Sequence, residues 1–142
     1  ELITGVAGSS AWFDRGFVTY QAEAKVEMID VPAEMIRTEG VVSEPVAEAM
    51  ARGALASSKA DLAVALTGVA GPSGGTPETP VGTVCLGWAE RTDSGAIVTS
   101  VRTIHAPGDR RAVRLAAAIT ALQGLIALID GTDPMRMPSQ YD

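Results

Sequence analysis

The sequence predicts a layered α/β or α+β domain with a mixed sheet, and three observations predict it. Leu62–Leu66 (LAVAL) is a continuous apolar run, too short for most helices and suited to a strand covered on both faces. Gly82–Glu90 and Ala96–Ile104 flank turn chemistry at Thr92–Gly95 and read as a hairpin. Helical periodicity before and after these strands supplies the covering layers.

Taken in order, Trp12–Tyr20 (WFDRGFVTY) reads as a first strand, with Gly16 a bulge or close-approach point. Gln21–Asp30 turns to helix formers, and Pro32 suits the first turn of a short helix ending near Gly40. Ser43 is an N-cap followed by Glu44 and Pro45, and Val46, Ala47, Met50, Ala51, Ala54 and Leu55 make an apolar stripe at helical spacing. Thr67–Val81 is rich in Gly, Pro and Thr, sustains neither helix nor central strand, and so is a loop. Asp109 starts a long helix that runs to about Asp130, stopped by Gly131. Its Leu115, Ile119, Leu122, Ile126 and Ile129 form a broad apolar face suited to a core or a subunit interface. The division expected is a domain over 1–131 and a polar, fraying tail over 132–142.

Composition narrows the function. The chain has 142 residues, 46% hydrophobic and 20% charged, which fits one folded domain rather than a disordered one. A net charge of −6 argues against general binding to nucleic-acid backbones, which need a basic face. Cys85 and His105 are the single cysteine and the single histidine, so neither a disulfide framework nor a metal centre rich in Cys or His is available. The lone thiol fits a reducing cytoplasm. No run of 18 or more consecutive apolar residues reads as a membrane span, and no signal architecture opens the chain.

Three groups of residues carry possible chemistry. In the loop after Leu66, Gly68, Gly71, Gly74 and Gly75 leave backbone N–H groups unobstructed, and Thr67 and Thr76 add hydroxyls. That pattern suits a small anion at the carboxyl end of a strand, or only a tight structural connection. Tyr20 and Lys25 could face one end of the sheet, where a desolvated lysine serves as a base; a bland alternative is an exposed lysine beside a half-buried tyrosine. Asp109 caps the last helix, and Arg110 and Arg114 share a face that suits phosphate, or a solvated basic first turn. Cys85, Trp12 and Trp88 read as packing residues, and His105 as a surface or satisfied histidine.

The blocks AGSSAWFDRGFVTYQAEAK (Ala7–Lys25), VSEPVAEAMARGAL (Val42–Leu55), DLAVALTGVAGPSGGTPETPVGTV (Asp61–Val84) and PGDRRAVR (Pro107–Arg114) occur in this order. Together they resemble the CinA C-terminal family of nicotinamide-nucleotide amidohydrolases. The resemblance implies a three-layer α/β/α domain with a mixed sheet that hydrolyses the carboxamide of nicotinamide mononucleotide to nicotinate mononucleotide and ammonia. It implies no cofactor and no metal, a small-molecule nucleotide as partner, a cytoplasmic setting and a homodimer. It casts Lys25 as base and Tyr20 as its partner, and puts Ser10, Thr67, Gly68, Gly71, Gly75, Thr76 and Arg110 near the substrate.

Two departures accompany the match. The family's nucleophilic serine lies in a Glu-Ser-Cys-Thr-Gly-Gly motif on its first helix, and these residues contain no such motif. Glu1–Gly5 is then expected to be the end of that helix, and the activity to depend on a serine upstream of residue 1. Without that serine, the same fold would be an inactive nucleotide-binding or regulatory module. The polar pair expected before Glu-Ala-Lys is here Gln21-Ala22, which loses an Asn.

Overall fold

Seven main elements follow one another in the computed structural model, which describes residues 1–141. They are α1 (Ala22–Ile29), α2 (Ala33–Glu39), α3 (Glu44–Ala56), β1 (Leu62–Gly68), β2 (Thr83–Arg91), β3 (Ile97–His105) and α4 (Arg110–Ile129). The caps foreseen from sequence set two of the helix starts. Ser43 Oγ accepts from the Val46 amide at 3.4 Å, and Asp109 Oδ1 accepts from the Ala112 amide at 2.9 Å.

The sheet order is β1-β2-β3, antiparallel throughout the described residues. Alternation along β2 separates two cores. Val84, Leu86 and Trp88 join Val113, Ala116, Ala117 and Ala121 of α4. Ala89 instead joins Ile29, Val46, Met50, Ala51 and Leu55 of α1 and α3, together with Ala65 of β1. Helices on both faces of a sheet give the three-layer α/β arrangement. Gly87 lets α3 lie almost on the sheet: a Cβ there would stand 2.3 Å from the Ala47 carbonyl oxygen. On the other face the Trp88 indole donates to the Ala121 carbonyl at 3.0 Å, so its polar atom is satisfied inside the core.

Two expectations change. Trp12–Tyr20 is extended but pairs with no strand among the described residues, so no parallel neighbour for β1 appears there and the three paired strands are purely antiparallel. Its alternation is real: Thr19 is 8% exposed, whereas Val18 is 83% and Tyr20 78% exposed. Period two records an extended chain with one face buried; a ladder also needs a partner, which sequence spacing does not supply. The tail, expected to fray, returns across the α4 side of the sheet. Ser100 Oγ donates to Asp133 Oδ1 at 3.2 Å, Arg102 donates to the Met137 carbonyl at 3.0 Å, and the His105 amide donates to the Tyr141 carbonyl at 2.8 Å. Pro134 is fully buried, so this segment covers β3 where α4 covers β1 and β2. Finally, α4 is long and apolar enough to cross a membrane by length and composition. In this fold its Val113, Ala116, Ala117, Thr120, Ala121, Gly124 and Ala127 are buried.

Candidate active site

Lys25 is the most unusual polar group in the molecule. It lies on the inward face of α1, one turn before Ile29, and only 5% of it is exposed. Its Nζ donates to the Thr19 carbonyl at 2.5 Å, and it forms no ion pair among the described residues. Burial without a carboxylate holds its pKa below the ordinary 10.5, because desolvation penalises the ammonium. Burial thus makes the neutral amine that a general base requires easier to reach than in a solvent-exposed lysine. Tyr20, its expected companion, turns its side chain outward at 78% exposure. The structure thus brings Lys25 to the backbone of the residue before Tyr20 rather than to the phenol.

The Gly-rich loop leaves the end of β1. Thr67 is buried and donates to the Val41 carbonyl at 2.7 Å, tying the loop's root to the α2–α3 connection. Gly68 closes against β2, since a Cβ there would meet the Thr83 carbonyl oxygen at 2.8 Å. Beyond it, Val69 and Thr83 pair at 2.9 Å and Gly82 and Val69 at 2.8 Å. Gly71 has φ +79°, and its buried position is overlain by the Val81 side chain. Gly75 and Thr76 are exposed at the far side, where Thr76 and Thr79 exchange two hydrogen bonds of 3.0 Å. Arg110 reaches the loop from α4, with Nη1 donating to the Gly71 carbonyl at 3.0 Å. Ser10 is exposed in a short 3-10 turn, Ser9–Ala11.

An open groove of about 1220 Å³ runs between β1 and α4 and ends at this loop. Val64, Leu66, Leu115, Ala118 and Leu122 make its apolar walls; Pro72, Val81, Arg110, Arg111 and Arg114 stand at the loop end, and Glu1–Ile3 along the border. Arg110 and the loop therefore meet at one end of this groove. Lys25 lies on α1, which packs against α2 and α3, and no hydrogen bond joins it to the loop among the described residues.

Sequence reading missed a polar row on the α3 side of the sheet. Thr67, Cys85 and Thr103 are cross-strand neighbours, and Thr103 donates to Glu44 Oε1 at 2.8 Å. Burial pushes the Cys85 thiol up, the Thr103 hydrogen bond pulls it down, and Glu44 adds to the rise. Burial thus disfavours the Cys85 thiolate, in line with the packing role expected from sequence. Thr19 was missed too, although its place two residues after Phe17 marks it as inward-facing. Among the described residues no group of three or more His, Cys, Asp or Glu side chains is arranged to hold a metal ion.

Comparison with known proteins converges on one family. The family model of the CinA C-terminal domain matches residues 1–129. The "Nicotinamide-nucleotide amidohydrolase PncC" of Escherichia coli is 50% identical over 125 residues, covering 88% of this chain and 73% of that protein. A "Putative competence-damage inducible protein" of Symbiobacterium thermophilum is 54% identical over 126 residues, and the chain spans only 30% of its length. Among solved structures, the competence/damage inducible protein CihA of Agrobacterium tumefaciens superposes with a TM-score of 0.81 at 47% identity, covering 89% of this chain and 74% of that one. A competence damage-inducible protein from Klebsiella pneumoniae gives 0.82 at 35% identity, covering 90% and 76%. With motif order, layer arrangement and these matches in agreement, the chain belongs to the CinA C-terminal domain family.

Proposed function

We propose that this domain hydrolyses the carboxamide of nicotinamide mononucleotide, with Lys25 as general base and a serine supplied from upstream of Glu1 as nucleophile. The observation that carries the reading is the buried, carboxylate-free Lys25, whose pKa is lowered by its surroundings. Relatives about half identical to this chain and bearing the amidohydrolase name support the substrate. The neutral Lys25 amine takes the serine proton, and the alkoxide adds to the amide carbon. The resulting ammonium gives its proton to the departing nitrogen, which leaves as ammonia. Water then hydrolyses the acyl-enzyme to the carboxylate, and no cofactor or metal takes part.

Residues Thr67, Gly68, Gly71, Gly75 and Thr76 form the substrate-facing loop in this reading, with Arg110 at its edge and Ser10 near the substrate, and Tyr20 is the partner of Lys25. Backbone N–H groups of a Gly-rich loop suit an anion, whether a phosphate or a developing oxyanion. Glu1–Ile3 border the groove beside β1, α4 and the loop. The exposed stripe on α4, with Leu115, Ile119, Ile126 and Ile129 between 43% and 72% exposed, is the face through which we place a homodimer. The reaction belongs to cytoplasmic recycling of pyridine nucleotides.

The test is ammonia release from nicotinamide mononucleotide by protein that carries the upstream serine, with and without Lys25→Ala. Loss of a general base should lower the rate by about 10²–10⁴-fold. An undiminished rate removes Lys25 from the mechanism. The second reading, an inactive nucleotide-binding module, rests on the lack of Glu-Ser-Cys-Thr-Gly-Gly in these residues. It predicts calorimetric binding of the nucleotide without ammonia release.

A further inference from the structure

Arg110 has a task that its position in a basic helix start does not announce. The α4 start is rigidly defined: Asp109 caps it, and at Gly108, φ +103°, a Cβ would meet Ala112 at 2.8 Å. From that fixed root, Arg110 Nη1 donates to a neutral backbone carbonyl, that of buried Gly71, 39 residues away. Apart from the adjoining Thr83 amide at the start of β2, which donates to the Pro80 carbonyl at 3.1 Å, this is the only hydrogen bond among the described residues that reaches positions 70–81 from a helix or strand; the loop's remaining bonds run to its own residues. The amides of Ser73, Gly74 and Gly75 donate to no acceptor among the described residues. A loop with unused donors binds an anion well only if those donors are already held in place. A buried carbonyl also needs a partner, which Arg110 alone supplies to Gly71.

We infer that Arg110 is a positioning residue that acts on the ligand through the loop, by fixing the Gly71 carbonyl, rather than by contacting a phosphate itself. The inference rests on the reading of this loop as the nucleotide site. Two helix features agree with it. The α4 macrodipole opposes a cation at its first residue, so a tertiary contact is what holds the guanidinium there. And Arg111 and Arg114, in the first two turns of α4, line the same groove without bonding the loop, which leaves them as the freer cations.

The experiment uses the whole chain and Arg110→Ala, with two measurements. Amide exchange over Ser73–Thr79 should quicken by about tenfold or more when the tie is cut, while β2 and α4 exchange as before. Calorimetry with nicotinamide mononucleotide and with its dephosphorylated riboside should show both affinities falling by the same factor, about tenfold for one lost hydrogen bond. Unchanged loop exchange overturns the inference. So does quickened exchange in which only the phosphorylated ligand is weakened, since that is the signature of a direct phosphate contact. If the unaltered chain binds neither ligand, it is the nucleotide-site reading that fails, and the exchange measurement still decides whether Arg110 holds the loop.

Discussion

Lys25→Met isolates the feature on which the catalytic reading depends. The substitution keeps most of the apolar stem and removes the buried amine. Two opposing effects follow. The Thr19 carbonyl, in a residue 8% exposed, loses its donor, which costs about 1–3 kcal/mol. The penalty for burying the ammonium disappears, a gain of about 1.36 kcal/mol for each pH unit by which burial lowers the pKa. In the unaltered protein the folded-state pKa lies below 10.5, the value of the unfolded chain. Between the two, the unfolded state binds more protons than the folded one, so stability rises with pH and levels off above 10.5. Below the folded-state pKa the burial penalty is present in full. The Met variant has no proton to lose and lacks this slope. Its stability relative to the parent should therefore be best below the folded-state pKa and worst above 10.5, where only the lost carbonyl bond, about 1–3 kcal/mol, separates them. Urea unfolding of both proteins at a series of pH values, with equal m-values, measures this directly. A difference that stays constant across the series would refute the claim that burial primes Lys25 for proton transfer.

Other substitutions test the frame around the site. Gly87→Ala places a Cβ 2.3 Å from the Ala47 carbonyl oxygen, so α3 must retreat from the sheet, at about 1–3 kcal/mol in denaturant unfolding; a neutral result would mean that α3 does not sit this close. Thr67→Val deletes the 2.7 Å bond to the Val41 carbonyl and should cost about 1 kcal/mol while quickening amide exchange around the α2–α3 connection. Deleting residues 132–142 removes buried Pro134 and the packing of Met137 and Tyr141, a loss on the order of 2–4 kcal/mol. The same deletion should unprotect the His105 amide, which is bonded to Tyr141; persistent protection would show that the tail does not cover β3.

The local content of the sequence was highly legible. The apolar run at Leu62–Leu66, the hairpin around Thr92–Gly95, and the caps Ser43 and Asp109 all signal through neighbours within a few residues, and each appears where the spacing puts it. Motif order identified the family, because several short blocks in fixed sequence are far more specific than any one of them. Tertiary structure decided everything that depends on distant partners. Whether Trp12–Tyr20 joins a sheet depends on an available edge. The tail's fate depends on the open face of β3, and Arg110's role on a carbonyl 39 residues away. Lys25 shows the division most clearly. Its residue type reads as solvent-exposed, and only the packing of α1 against α2 and α3 removes its amine from water and lowers its pKa. Periodicity is written in neighbouring residues, whereas burial and hydrogen-bond partnership are properties of the folded whole.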